Sequence, residues 1–172
     1  GGQENEIYAG DGDNTVVGGG QNNYISAGTG DDIIVGGGQI NKIEAGDGDN
    51  TVVGGGQDNI ITSGNGEDVI VGGGQTNQIV TLDGQKTIIG GGQTNTIISG
   101  DGESVIIGGG QTNSITTTHG KKTIVGGGQY NTIIAGDAYE YDDLGNRIIG
   151  QNIIVGGGQT NQITSGSGND LI

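Results

Sequence analysis

A Gly-Gly-Gly-Gln-x-Asn signature returns every 18 residues along this chain, and that period constrains the fold more than any other feature. Complete Gly triplets begin at Gly18, Gly36, Gly54, Gly72, Gly90, Gly108, Gly126 and Gly156, and a first copy enters at Gly1, one residue into its triplet. Each copy divides into two nonapeptides, GGGQxNxIx and (A/S)GxGxxx(I/V)(V/I). The copy that starts at Gly126 is longer by twelve residues, roughly 138–149.

Two aliphatic rows run through the copies. The first is Ile7, Ile25, Ile43, Ile61, Ile79, Ile97, Ile115, Ile133 and Ile163. The second is Val16, Ile34, Val52, Ile70, Ile88, Ile106, Ile124, Ile154 and Ile172. A β-branched residue at this interval, preceded by a Gly-rich turn, predicts short strand, turn, short strand, turn. Coils of that kind stack about 4.8 Å apart into two facing parallel sheets. The expected fold class is therefore all-β: a parallel β-roll or β-solenoid of about nine coils, a single domain over 1–172 with a loop inserted at about 138–149. Low hydrophobicity with a net charge of −15 is the usual signature of disorder, but disordered chains have no reason to keep Ile and Val at fixed intervals. Gly supplies 43 of 172 residues without any Pro, which excludes collagen. Phe, Trp, Met and Cys are absent, so the core must be thin and aliphatic and no disulfide can form.

The second nonapeptide carries a resemblance. Ala27-Gly28-Thr29-Gly30-Asp31-Asp32-Ile33-Ile34-Val35 and Ser165-Gly166-Ser167-Gly168-Asn169-Asp170-Leu171-Ile172 resemble the RTX (repeats-in-toxin) nonapeptide GGxGxDxUx, where U is a large aliphatic. The likeness covers nearly the full chain and implies a β-roll. In that family, Asp side chains and turn carbonyls bind calcium between coils, and members include toxins, proteases, adhesins and surface proteins.

The first nonapeptide departs from this pattern in every copy. Gln stands in the second Gly pair and Asn stands for Asp, giving the rows Gln21, Gln39, Gln57, Gln75, Gln93, Gln111, Gln129 and Asn23, Asn41, Asn59, Asn77, Asn95, Asn113, Asn131. A neutral amide is a poor calcium ligand, whereas stacked amides can bond to their copies above and below. This edge is expected to hold without metal, as a Gln/Asn ladder.

The other edge is acidic. Its Asp-equivalent positions open with Asn14, Asp32, Asn50 and Asp68, each preceded by an acid: Asp13, Asp31, Asp49 and Glu67. Through residue 71 there are 12 acids and one Lys, a net of −11, against 8 acids and 4 bases in the remainder. Acids stacked about 5 Å apart repel unless a cation sits among them, so calcium is expected mainly in coils one to four. Lys86 and Lys122 take the Asp position in coils five and seven and argue against equivalent sites there.

Strand alternation sends the neighbours of the core rows outward. On the second sheet they include Thr15, Val17, Val35, Thr51, Val53, Val71, Thr87, Ile89, Ile107, Thr123 and Val125, a flat apolar strip suited to packing rod on rod. In the insertion, Tyr139, Tyr141 and Arg147 form a candidate partner loop. The chain starts without Met inside a repeat and stops at Ile172, which reads as a processed piece, or as a subunit that stacks head to tail. One His, His119 in a turn, and no pocket-forming core leave little for catalysis. An acidic surface disfavours nucleic acid, and no run is apolar enough to span a membrane. The expected function is a non-enzymatic, extracellular structural rod that assembles with copies of itself. Two alternatives are a calcium-dependent module of a secreted adhesin or toxin, and an ice binder. Thr94/Thr96 and Thr112/Ser114 hint at a ranked ice face, but Ile40/Lys42 and Tyr130/Thr132 break the rank.

Overall fold

The computed structural model describes residues 2–142 and 144–172; Gly1 and Asp143, the latter inside the insertion, lie outside the described residues. The strands are β1 (Glu4–Tyr8), β2 (Thr15–Val17), β3 (Asn22–Ser26), β4 (Ile33–Val35), β5 (Ile40–Glu44) and β6 (Thr51–Val53). They continue with β7 (Asp58–Ser63), β8 (Asp68–Val71), β9 (Thr76–Thr81), β10 (Lys86–Ile89), β11 (Thr94–Ser99) and β12 (Ser104–Ile107). The last are β13 (Thr112–Thr117), β14 (Lys122–Val125), β15 (Tyr130–Ala135), β16 (Tyr139–Tyr141), β17 (Arg147–Ile149), β18 (Ile153–Val155) and β19 (Thr160–Ser165).

Successive strands alternate between two parallel sheets. One has nine strands, β1-β3-β5-β7-β9-β11-β13-β15-β19, and the other eight, β2-β4-β6-β8-β10-β12-β14-β18. Register is the repeat itself: Ile61 pairs with Ile79 and Ile88 with Ile106. The coil count falls slightly short of the expected nine, because the last copy adds only an isolated bridge, Ile153 to Leu171, to the second sheet. The core is the two predicted aliphatic rows, fully buried from Ile25 to Ile133.

The Gly triplet does two different jobs. Its second and third members hold positive φ, as at Gly37 (66°) and Gly38 (69°), where an L side chain is strained. Its first member is needed for space. A Cβ on Gly54 would lie 2.6 Å from Asn59 Cγ and 2.7 Å from Gly72 O. The Gly and the Asn five residues later are thus one packing unit.

The insertion is an antiparallel hairpin, β16 with β17, folded back on the turn edge. Tyr139 packs 5.8 Å from the His119 ring and under Arg147 at 4.3 Å, and Glu140 lies 3.6 Å from Lys121. Tyr141 packs edge-on against Tyr139 at 5.6 Å, so the three candidate partner residues contact one another within the chain, with Arg147 and Tyr141 still largely exposed.

Candidate calcium site and the two stacking edges

At the first edge the Asn row forms a continuous buried ladder. Each Nδ2 donates to the Asn Oδ1 of the next coil and to a Gly carbonyl. Asn59 reaches Asn77 at 2.9 Å and Gly72 O at 3.0 Å, and Asn95 reaches Asn113 at 2.9 Å and Gly108 O at 2.8 Å. The run begins at Asn5 and ends on Asn161, so all the amide dipoles point the same way and reinforce one another. The Gln row does not join it. All those side chains are exposed, and the stacking at that position is backbone to backbone, as in Gln57 N–H to Gln39 O at 2.7 Å. The expectation of a Gln ladder is corrected: the residue follows two positive-φ glycines, so its side chain leaves the turn before strand alternation begins.

The second edge is three parallel rows, not one acidic strip. The outermost includes Asp13, Asp31 and Asp49, all exposed, whose carboxylates accept the backbone N–H of Asp31, Asp49 and Glu67 in the following coil at 2.8–2.9 Å. A second row lies beside it, exposed at Asp11 and half-buried at Asp137. Asp11 and Asp137 accept from Thr29 and Ser167 of the next coil, and these hydrogen bonds hold both carboxyls below the ordinary range. Much of the acid therefore staples coil to coil through backbone amides, which tempers its mutual repulsion.

The third row points inward and is buried: Asp32, Asn50, Asp68, Lys86, Ser104, Lys122 and Asn152. Its hydrogen bonds run the other way along the rod. Asn14 N–H donates to Asp32 Oδ1 at 2.8 Å, Asp32 N–H to Asn50 Oδ1 at 3.0 Å, and Asn50 N–H to Asp68 Oδ1 at 2.9 Å. Lys86 and Ser104 offer no such oxygen. Asp68 and Lys86 N–H instead donate to the carbonyls of Gln85 and Glu103, both at 3.0 Å. Strands β2, β4 and β6 accordingly have three residues, and β8, β10, β12 and β14 have four.

In the first, third, fourth and sixth turns two glycine carbonyls face this row, and what answers them changes from coil to coil. Asn14 Nδ2 donates to Gly10 O (3.0 Å) and Gly12 O (2.5 Å), and Asn50 Nδ2 donates to Gly46 O (3.3 Å) and Gly48 O (3.0 Å). Lys86 Nζ reaches back one coil to Gly64 O (2.9 Å), Gly66 O (2.8 Å) and Asp68 Oδ2 (2.5 Å). Lys122 Nζ does the same to Gly100 O (2.9 Å), Gly102 O (2.6 Å) and Ser104 Oγ (3.4 Å). The lysines stand in the Asp row, as the repeat predicts, and point inward.

Asp32 is the exception. Its side chain is fully buried, and its Oδ2 has no hydrogen-bond partner; among the described residues only Thr117 Oγ1 shares that condition. The cause lies across the turn. Asp68 Oδ2 accepts from Ser63 Oγ at 2.8 Å and Asp170 Oδ2 accepts from Ser165 Oγ, but the residue 36 before Ser63 in the same inner row is Ala27. No donor reaches Gly28 O or Gly30 O from a side chain among the described residues. By position Gly28 O and Gly30 O match the carbonyls that Asn14, Asn50 and Lys86 meet in their turns, and a buried carboxylate oxygen with two such carbonyls and no proton donor is a set of hard oxygen ligands that suits calcium. No group of three or more His, Cys, Asp or Glu side chains suited to a metal occurs among the described residues, so any site here depends on backbone carbonyls.

The profile of one family, the RTX calcium-binding nonapeptide repeat, matches four segments of the chain, residues 8–43, 44–79, 87–117 and 149–172. The chain belongs to that RTX family. No curated protein and no solved structure matches it. The RTX assignment agrees with the roll, and the second and third matched segments run through coils whose inward position carries Asp68 and Ser104. Membership in the family therefore does not make every turn of this chain an equivalent metal cradle. The sequence-predicted metal residues separate accordingly. Asn14, Asp32, Asn50 and Asp68 line the inner row, whereas Asp13, Asp31, Asp49 and Glu67 lie outside it in solvent.

Proposed function

We propose that this chain is a calcium-binding, non-catalytic rod segment of a secreted protein, with its calcium taken principally at the Asp32 turn. The observation that carries the reading is the orphaned Asp32 Oδ2. Asp32, Gly28 O and Gly30 O would hold the ion, and calcium would supply the positive charge this buried carboxylate lacks. Three protein oxygens are about half of the six to eight that calcium takes, so water completes the shell and affinity falls in the extracellular range, a Kd of about 0.1–1 mM. RTX proteins are typically secreted, and calcium at that level belongs outside the cell. No helix among the described residues is long and apolar enough to cross a membrane.

Assembly with copies of the chain is the second part of the proposal. It is supported by the outward strip on the eight-stranded sheet, where Val17, Ile33, Val69, Val105 and Val155 are each 45–66% exposed. Calorimetric titration of calcium into the full chain tests the first part. The expected result is one site, lost in Asp32→Asn; several equal sites, or one that survives the substitution, would contradict it. Sedimentation velocity of wild type against Val69→Lys tests the second, which predicts concentration-dependent association only in the wild type.

A further inference from the structure

We propose that Lys86 is an internal cation standing in the cradle that a divalent metal would otherwise fill, so that the coil-four turn is a latent calcium site closed by the chain itself. The Lys86 side chain and its Asp68 partner are both completely shielded from solvent. Its ammonium has three oxygen partners within 2.9 Å: two turn carbonyls, Gly64 O and Gly66 O, and one carboxylate, Asp68 Oδ2. Those oxygens are the positional equivalents, two coils on, of Gly28 O, Gly30 O and Asp32 Oδ2. In coil four the +1 charge arrives on a side chain from coil five. In coil two the corresponding residue of coil three is Asn50, whose amide is spent on its own turn.

Lys122 makes a built-in control. It occupies the same position two coils further along, on Gly100 O, Gly102 O and Ser104 Oγ, but there is no carboxylate in its cradle. Removing Lys86 therefore leaves a carboxylate and two carbonyls beside a vacated volume, whereas removing Lys122 leaves only neutral oxygens. The rod divides in consequence into a second turn left to an external cation and fourth and sixth turns that carry their own.

The inference rests on calcium being the cation these turns accept, and the test separates it from the Asp32 assignment. Calcium is titrated into the full-length wild type, Lys86→Ala, Lys122→Ala and the double variant Lys86→Ala/Asp68→Asn, and stoichiometry is compared with the parent. Lys86→Ala is expected to gain one calcium; Lys122→Ala and the double variant are expected to gain none. The gain is a difference from the parent and stands even if Asp32 binds nothing. If Lys86→Ala is unfolded in chelator, recovery of its β-sheet circular dichroism at millimolar calcium, absent in the double variant, supports the proposal equally. An unchanged stoichiometry in folded Lys86→Ala, or an equal gain in the double variant, overturns it. Hydrogen exchange on the wild type gives an independent reading. Chelation should raise exchange at the Asn14 and Asp32 amides and leave Lys86 and Ser104 unchanged; equal loosening at all four would overturn the division of the rod.

Discussion

Replacing Asn95 by Ala tests the ladder where it is most enclosed. Asn95 is fully buried, donates to Gly108 O and Asn113 Oδ1, and accepts from Asn77 Nδ2. Truncation removes all three bonds. Gly108 O keeps the backbone N–H of Gly91 at 3.1 Å, but Asn113 Oδ1 loses its buried donor, and Asn77 Nδ2, still on Gly90 O at 2.9 Å, loses the acceptor of its second hydrogen. Each buried polar group so deprived costs about 1–3 kcal/mol, so the one acceptor and one donor left unpaired should destabilise the rod by about 4 kcal/mol. For a chain of this size that is a fall in melting temperature of about 8–16 °C. Thermal unfolding by circular dichroism reads it, with Thr94→Ala as the exposed neighbour and Asn5→Ala as the half-buried end of the ladder. The predicted order of loss is Asn95, then Asn5, then Thr94. If Asn95→Ala melts within a degree or two of Thr94→Ala, amide stacking does not hold this edge, and the aliphatic rows alone must do so.

Asp32→Asn should stabilise the rod without metal and not with it. In chelator the new amide can answer Gly28 O and Gly30 O as Asn14 and Asn50 answer their own turns, raising stability by about 1–3 kcal/mol; in saturating calcium that advantage should vanish. Denaturant midpoints in both conditions check this, and a variant less stable in chelator would refute it. Burial pushes the Lys122 ammonium down to about 8, with Asp101 and Asp83 opposing. Between that value and the ordinary lysine range the unfolded chain binds more protons, so stability should climb by about 3 kcal/mol as pH rises through the window. Lys122→Met should flatten the climb, and Nζ-detected titration by NMR should place the midpoint near 8. Gly54→Ala should cost about 1–3 kcal/mol through its collision with Asn59 and Gly72, whereas Gly37→Ala, with no neighbour nearer than 3.5 Å, meets only backbone strain of about 1–2 kcal/mol.

The period carried most of the architecture into view. Ile61 and Ile70 had to be inward because nothing else in an 18-residue coil could make a core, and register followed from repetition. The Asn ladder was legible for the same reason: one polar residue held at one inward position in every copy needs a partner, and its copy is the nearest. The Gln row misled because conformation, not spacing, decides where it points; the positive φ of Gly37 and Gly38 turns Gln39 outward. Asp31 and Asp32 are adjacent in sequence and look like one acidic pair, yet alternation puts one in solvent and the other in the interior. Lys86 read as a charge that forbids a metal, whereas its length lets it reach back a coil and take the metal's place. The selection of Asp32 needed the third dimension, since it turns on Ala27 standing where coil four has Ser63.

The most direct test of the account is a crystal structure of the full chain grown with calcium, or with a lanthanide located by anomalous scattering. A single strong peak is predicted inside the second turn, bounded by Gly28 O, Gly30 O and Asp32 Oδ2, with Lys86 Nζ still seated on Asp68. A peak along the exposed Asp13, Asp31 and Asp49 row, or a metal in the coil-four cradle with Lys86 displaced, would contradict it.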